Sequence, residues 1–466
     1  MGSMRIFRHY IRIPLLILGI AEFLILVGSV YAGAHLRFYY DPSEIAESIG
    51  WLLPRALEFG CVMLSSLTAM GLFQARLRER TVGVIFRIFT SYLVGTFGLT
   101  ALFYMLPSLF TGRGTLALAL GVSFIGITTA HLLFHHFAQD LLKRRVVILG
   151  AGVRANSLMS LRRRSDRRGF DIVGYVLMPG EQQVIDSGQL IELKKSLRDY
   201  ALAERIDEYV IAMDDRREQF PVDELLDCRM TGIEVTDLLT FFERETGKIR
   251  VDLLNPSWMI FSDGFSQNFV REFSKRTFDI LASLFLLLFA WPVMLVTMLI
   301  IYMESGGRGP VFYSQVRVGQ DGKPFKMRKF RSMSVDAEKS GKLQWAQVGD
   351  QRVTRVGAAL RKFRIDELPQ ILNVLKGEMS FVGPRPERPQ FVTQLSENIP
   401  YYHERHRVKP GLSGWAQLCY PYGSSEHDAR EKLQYDLYYV KNHSMFLDLT
   451  VMLHTAEVVL FSRGAR

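Results

Sequence analysis

Arg361-Lys362-Phe363-Arg364-Ile365-Asp366-Glu367-Leu368-Pro369-Gln370, followed after a short apolar stretch by Gly377-Glu378-Met379-Ser380-Phe381-Val382-Gly383-Pro384-Arg385-Pro386, is the most informative part of the sequence. Asp366 has the look of a helix N-cap: an acid, a second acid at Glu367, Pro369 in the first turn, then apolar periodicity up to Lys376-Gly377. On one reading the two carboxylates only satisfy helix amides and the helix dipole. On the other, amide donors and nearby arginines keep Asp366 ionised, as a carboxylate nucleophile or metal ligand requires. Arg361, Arg364 and Arg385 bracket the pair, and the guanidinium fork suits phosphate oxygens. Adjacent carboxylates also suit Mg²⁺, which takes one or two of them together with substrate phosphates. The Gly383-Pro384-Arg385-Pro386 turn is stiff and fixes its arginine with little entropy left to lose.

Upstream lie two more basic runs, Lys326-Met327-Arg328-Lys329-Phe330-Arg331-Ser332-Met333 and Arg352-Val353-Thr354-Arg355-Val356-Gly357. The chain of 466 residues carries a net charge of +10, and about +9 of it falls in 271–466. Such a basic excess fits an anionic lipid surface, a phosphate site, or both. Just before these runs, 278–302 is apolar and long enough to cross a bilayer, but Trp291-Pro292 stands near its middle. Proline removes a helix hydrogen bond and clashes with the preceding turn, so a kink or break is expected there. Basic residues flank both sides: Arg271, Lys275 and Arg276 before, Arg308, Arg317, Lys323 and Lys326 after. A re-entrant helix, dipping into one leaflet and returning, keeps both flanks on one face; a straight span does not.

Further out, four apolar stretches, 13–32, 56–73, 82–110 and 115–137, are each near or above the ~20 residues a crossing needs. Arg5, Arg8 and Arg12, then Arg76, Arg78 and Arg80, then Lys143, Arg144 and Arg145 occupy alternate ends of these spans, which places both termini in the cytoplasm. His131 and His135 read as polar residues near the inner interface or as a metal pair. A chain 48% hydrophobic yet 22% charged fits membrane and soluble parts joined together. Cys61, Cys228 and Cys419 lie too far apart for a metal motif and suit a reducing compartment.

Between these parts the sequence turns to soluble α/β. The strand-like Val146-Val147-Ile148-Leu149 runs into Gly150-Ala151-Gly152-Val153-Arg154-Ala155, the G-x-G-x-x-A form of the dinucleotide turn. Further strands are expected at 172–177, 208–212 and 233–236. No clear acid ends the second strand, and arginines 162–164 crowd the first helix. Both a bound cofactor and a structural or dimer-forming role stay open.

Taken together, the KFRSM, DELPQ, NVLKGEMS, VGPRP and KPGLSGWAQ segments, the last being Lys409 to Gln417, resemble the bacterial sugar transferase family, the monotopic phosphoglycosyl transferases. The resemblance covers about 270–466. It implies a four-span α-helical membrane bundle (1–140), a small and degenerate α/β Rossmann-like domain (141–245), a linker (246–270) and an α/β-mixed monotopic catalytic domain (271–466) with a re-entrant helix at 278–302. It further implies ping-pong transfer of a sugar-1-phosphate from a UDP-sugar to polyprenyl (undecaprenyl) phosphate. Asp366 is then the nucleophile and Glu367 its Mg²⁺-holding or positioning partner. Arg361 and Arg385 bind phosphate, joined by Arg331, Arg352, Lys329 and Arg364. The implied setting is the cytoplasmic face of a bacterial inner membrane, as a homodimer, in exopolysaccharide, capsule or O-antigen synthesis, with no nucleic-acid partner. The hairpin break departs from the Ser-Pro form of small members, being Trp291-Pro292 here. Two rival readings are a membrane nucleotide-sugar dehydratase and a non-enzymatic scaffold of polysaccharide assembly. The first requires a Tyr-x-x-x-Lys pair, and Tyr438 and Lys441 are spaced one short; the intact Asp366-Glu367 pair speaks against the second.

Overall fold

The structure is a computed structural model that describes all residues except 1–2, 7–8, 42, 44–49, 71, 74–80, 138–142, 161–169, 194, 216–219, 263, 266–268, 335–351, 421–422, 424 and 461–466. Arg8, Arg76, Arg78, Arg80 and arginines 162–164 therefore lie outside the described residues, as do the side chains of Arg5, Arg12 and His135. The chain divides into two units, Met1–Phe241 and Phe242–Arg466.

After an antiparallel strand pair, Ser3–Ile6 with His9–Arg12, the first unit has four long helices, α1 (Ile13–Arg37), α2 (Leu52–Ala69), α3 (Thr81–Met105) and α4 (Arg113–Phe137). The third ends earlier than the apolar run suggested, because Pro107 follows and starts a short 3₁₀ turn. The helices close a ring in which α1 meets α2 and α4, and α3 meets both of those. The seam between α1 and α4 is tight: a Cβ on Gly33 would lie 2.9 Å from backbone atoms of Thr115 and Ala119. Inside sit Leu26, Met63, Leu67, Ile88, Leu99 and Ile127, all sealed from solvent. Outside, Ile17, Leu24, Phe97 and Ile125 are more than half exposed, an apolar exterior that water would penalise and lipid would not. His131 is buried with its Nδ1 2.5 Å from Glu22 Oε1, so it serves as the partner of an inward carboxylate. Among the described residues no group of three potential metal ligands occurs.

The rest of this unit carries a four-stranded parallel sheet: β1 (Arg144–Leu149), β2 (Phe170–Val176), β3 (Glu208–Ile211) and β4 (Glu234–Asp237), in the order β2-β1-β3-β4. Crossovers through α5 (Val153–Asn156), α6 (Leu197–Glu204) and α7 (Val222–Met230) keep the strands parallel. The near-continuous apolar run of β1 follows from burial on both faces, with Val146 to Leu149 fully enclosed.

The second unit is built on α8, a 36-residue helix over Phe269–Glu304. No break in the helix occurs at Trp291-Pro292, since Pro292 lies inside α8. Proline forfeits one backbone hydrogen bond there, and the contacts along the rest of the helix outweigh that loss. Among the described residues five helices, α8 included, are long and apolar enough to cross a membrane. Yet α8 buries one continuous stripe, Asp279, Ser283, Ala290, Thr297 and Ile301, while Leu284, Phe285, Leu288, Phe289, Val296 and Leu299 stay exposed.

Both ends of α8 grip the same folded unit. Near its start, Arg276 donates to the carbonyls of Val374 (2.7 Å) and Leu375 (2.6 Å) at the C-terminal end of α10 (Ile371–Lys376), where a cation meets the negative helix pole. Asp279 accepts from Ser380 Oγ (3.0 Å) and the Phe381 amide (3.2 Å) in β7 (Ser380–Val382). Near its end, Ile301 packs with Phe330 and Leu360, with Met294, Met298 and Val311 around them. A Phe, Leu or Ile buried this way contributes about 1.5–3 kcal/mol.

Around α8 and α10 stand, among other elements, the antiparallel pair β5 (Phe312–Val318) and β6 (Pro324–Phe330), α9 (Arg355–Lys362), β8 (Gly411–Ser413) parallel to β7, α11 (Glu426–Asn442) and α12 (Met445–Leu460). Their core joins Phe325, Met327, Val374, Met379, Phe381, Val382, Tyr439 and Val451. Asp448 of α12 is buried and accepts from Tyr439 Oη (2.6 Å) and Lys275 Nζ (2.5 Å), so this end of α12 is anchored in the core.

Candidate active site

Asp366 and Glu367 lie in a 3₁₀ turn over Ile365–Gln370, between α9 and α10. Asp366 is not the helix cap that its sequence context suggests. Arg364 occupies the position before the turn in the left-handed region, φ 57°, and α10 starts only at Ile371. Tight i→i+3 geometry leaves the acid inside the turn rather than ahead of a helix. Gly377, φ 84°, closes α10 in the conformation that glycine adopts without strain.

The two carboxylates sit in opposite electrostatic settings. Glu367 Oε1 accepts from Lys329 Nζ (3.0 Å) and Arg364 (3.4 Å), and Arg385 stands 4.0 Å away. Burial alone would raise its pKa; Lys329, Arg385 and Arg364 together outweigh burial and hold the carboxyl at about 2. Asp366, only 7% exposed, accepts no hydrogen bond from any described residue. Burial pushes its carboxyl above the usual range, the neighbouring Glu367 charge adds to this, and Lys329, Arg361 and Arg364 only partly offset it. Amide donors do not hold Asp366 ionised, contrary to the expectation from its capping context.

Each cation has a structural reason for its place. Lys329 projects from β6, whose register on β5 is fixed from Phe312↔Phe330 to Val318↔Pro324. Asn373 of α10 ties that strand to the turn: its side chain accepts from the Arg328 amide (3.2 Å) and donates to the Lys326 carbonyl (2.9 Å). Arg361 donates from Nε to Ser332 Oγ (2.9 Å), so the arginine is braced by the segment just after β6. Thr354 caps α9 through the Gly357 amide (2.9 Å), and the Ser334 amide donates to the Arg352 carbonyl (2.9 Å), which sets Arg352 beside the segment after β6. Arg331 points elsewhere, donating to the Arg308 carbonyl (3.1 Å). Lys329, Arg364 and Arg385 thus converge on Glu367, Arg361 acts on Asp366, and Arg331 is brought to neither carboxylate.

The Arg385 turn is held from below. Arg405 donates to the Arg385 carbonyl (3.0 Å) while its guanidinium engages Asp436 at 3.0 and 2.8 Å and Tyr402 Oη at 3.0 Å. Arg405 and Asp436 are both almost fully buried. Arg317 donates to the Pro386 carbonyl (3.3 Å), and the Gly383 and Gly411 amides donate to the carbonyls of Ser413 and Pro384. Sequence reasoning missed Arg405, Asp436, Arg317, Asn373 and Ser332. Their partners are far away in the chain, although Ser332 and Asn373 fall within the KFRSM and NVLKGEMS segments.

Among the described residues the site is a buried carboxylate without a hydrogen-bond donor next to a neutralised one, ringed by basic side chains. Residues 270–462 match the family described as bacterial sugar transferase. The chain is 43% identical over 239 residues to a UDP-N-acetylgalactosamine-undecaprenyl-phosphate N-acetylgalactosaminephosphotransferase of Aeromonas hydrophila, covering 51% of this chain and 55% of that protein, so it spans about half of that relative's length. It is 42% identical over 194 residues to an uncharacterized sugar transferase of Bacillus subtilis, covering 41% of this chain and 89% of that protein. With a UDP-glucose:undecaprenyl-phosphate glucose-1-phosphate transferase of Klebsiella pneumoniae it shares 34% identity over 331 residues, 69% of each chain, so this likeness reaches beyond 270–462. The chain belongs to the bacterial sugar transferase family.

Proposed function

We propose that the chain transfers a sugar-1-phosphate from a UDP-sugar to polyprenyl phosphate by way of a covalent intermediate on Asp366. The observation that carries this reading is the contrast between the carboxylates: Glu367 is neutralised by cations, whereas Asp366 is buried without a hydrogen-bond partner among the described residues. A desolvated carboxylate that is not stabilised by donors is the more reactive nucleophile. An Asp366 oxygen attacks the β-phosphorus of the donor; the bond from that phosphorus to the bridging oxygen breaks, and UMP leaves with the electron pair. A phosphate oxygen of the polyprenyl phosphate then attacks the same phosphorus, the aspartyl–phosphate bond breaks, and a polyprenyl diphosphate sugar forms. Arg361, Arg385, Lys329 and Arg364 supply positive charge for the phosphoryl oxygens as charge moves.

The donor set fits Mg²⁺. Two adjacent carboxylates are present, Glu367 directs Oε1 to its cations, and no third protein ligand stands by among the described residues, so phosphate oxygens would complete the shell. When bound, the ion neutralises charge on the diphosphate. Asp366 and Glu367 would hold it.

The proposed membrane geometry rests on α8. Asp279 and Ile301 are about 33 Å apart along a straight helix, and a bend at Pro292 inside α8 would bring them closer. Contacts of both with one folded unit support a helix that enters the cytoplasmic leaflet of the inner membrane and leaves the residues after Glu304 on the side where the helix began. Its exposed stripe of Leu and Phe would meet acyl chains, where the polyprenyl acceptor also resides. We assign 141–245 a structural role as a degenerate Rossmann-like region within a homodimer; mass measurement in nanodiscs that finds only monomer would contradict the dimer.

The test is UMP release by the full chain in nanodiscs with undecaprenyl phosphate and Mg²⁺, across UDP-N-acetylgalactosamine, UDP-N-acetylglucosamine, UDP-glucose and UDP-galactose. Release with one donor, abolished in Asp366→Asn, is the expected result. No release with any donor would overturn the assignment and favour a scaffold.

A further inference from the structure

The G-x-G-x-x-A turn after β1 has the sequence of a dinucleotide site, and its amides are already occupied. Asp214, just beyond β3, accepts from the Val153 amide (2.8 Å) through Oδ2 and from the Arg154 amide (2.8 Å) through Oδ1. These are the first amides of α5, the donors that a bound pyrophosphate would use in such a turn. Glu181 takes the next position. Its Oε2 accepts from the Ala151 amide (3.0 Å) and its Oε1 from the Asp214 amide (2.9 Å), so one carboxylate fixes the backbone of the other. The Val184 and Ile185 amides then donate to the Ala151 carbonyl (2.8 and 3.3 Å), strapping the segment after β2 across the turn.

The two glycines have the same explanation. A Cβ on Gly152 would clash with Asp214 Oδ2, and one on Gly150, φ +124°, would fall 2.7 Å from the Ala212 carbonyl group. In a nucleotide site these glycines admit a phosphate; here they admit a carboxylate and the end of β3. The ribose partner is missing too. β2 ends at Val176 and is followed by Leu177, while the nearest acid, Glu181, is committed to backbone amides.

We infer that this turn is self-liganded: Asp214 and Glu181 stand where phosphates would bind, and the sheet region takes no dinucleotide there. A phosphate group brought to the turn would face two carboxylates and would have to displace both from paired amides. Each lost charge-assisted bond opposes that exchange.

Hydrogen exchange on the full chain in nanodiscs, read at peptides covering 150–156, tests the inference. With NAD⁺, NADP⁺, UDP and inorganic phosphate added in turn at millimolar concentration, wild-type exchange at 150–156 stays unchanged. In Asp214→Ala, with two amides released, the same peptides exchange about tenfold faster. If that variant does not fold, Asp214→Asn, which retains one acceptor oxygen, replaces it, with an acceleration of a few-fold expected. Saturable protection of 150–156 in the wild type by any of the four probes would overturn the inference. So would an Asp214 variant that exchanges at the wild-type rate.

Discussion

Two turns of this molecule look like phosphate sites in sequence, and they are opposites in structure. At 150–155 the glycine-rich turn presents amides, and the chain answers them with Asp214 and Glu181. At 365–370 the chain gathers Lys329, Arg364 and Arg385 on Glu367 and gives Asp366 no donor among the described residues. In the first turn the donors are matched from within; in the second a buried carboxylate is left over. The lesson is that a candidate reactive site is recognised by what the fold declines to satisfy, because an unmatched buried group costs stability and its retention asks for a reason.

The contrast between the turns breaks most visibly at Asp366. Asp366→Asn is expected to lower turnover by at least about a thousandfold, since the amide cannot form the acyl phosphate; UMP release measures it. Next comes the support below Arg385. Asp436→Asn leaves Arg405 buried and uncompensated and is expected to cost about 3–5 kcal/mol, read as a lower unfolding midpoint, with a raised KM for the donor as the Arg385 carbonyl loses its anchor. Glu367→Gln removes the charge that Lys329, Arg364 and Arg385 share, and kcat/KM should fall about a hundredfold.

A smaller effect lies in the pH profile. Asp366 must be ionised to attack, and its carboxyl is raised from 3.8, so the acid limb of kcat/KM lies above that value. Lys329 is the largest influence lowering it, so Lys329→Met moves the limb to still higher pH; an unmoved limb would assign it to another group. Glu367, held at about 2 against an ordinary 4.5, contributes stability that is present above pH 4.5 and lost as pH falls through 2. The smallest effect is expected at the other turn: Asp214→Ala should leave turnover within about twofold, since a self-liganded structural turn contributes about 1–2 kcal/mol of local stability.

Much of this arrangement was legible along the chain because it is encoded locally. Four long apolar runs became α1 to α4, the apolar run at 146–149 became β1, and the spacing of later strands held to within a few residues. Arg361, Arg364 and Arg385 stood out because they bracket the paired acids in sequence, whereas Lys329 was indicated by the family resemblance. What the sequence hid depends on distant partners. The brace of Arg405 and Asp436 joins residues 31 apart in the chain, and Asn373 reaches back 47 residues to Lys326. At Pro292 local chemistry predicts a kink or break, and α8 runs through it unbroken, held by contacts at Arg276, Asp279 and Ile301. Asp366 misled similarly, since a capping pattern was present but the chain folded into a 3₁₀ turn.

The central claim is that Asp366 carries the transferred group. Intact-protein and peptide mass spectrometry, after a brief reaction with the active UDP-sugar, no acceptor, and an acid quench, tests it most directly. The account predicts one added hexose-phosphate or N-acetylhexosamine-phosphate mass on the peptide containing Asp366, absent in Asp366→Asn and discharged by undecaprenyl phosphate. UMP release without any adduct, or an adduct on another residue, would contradict it.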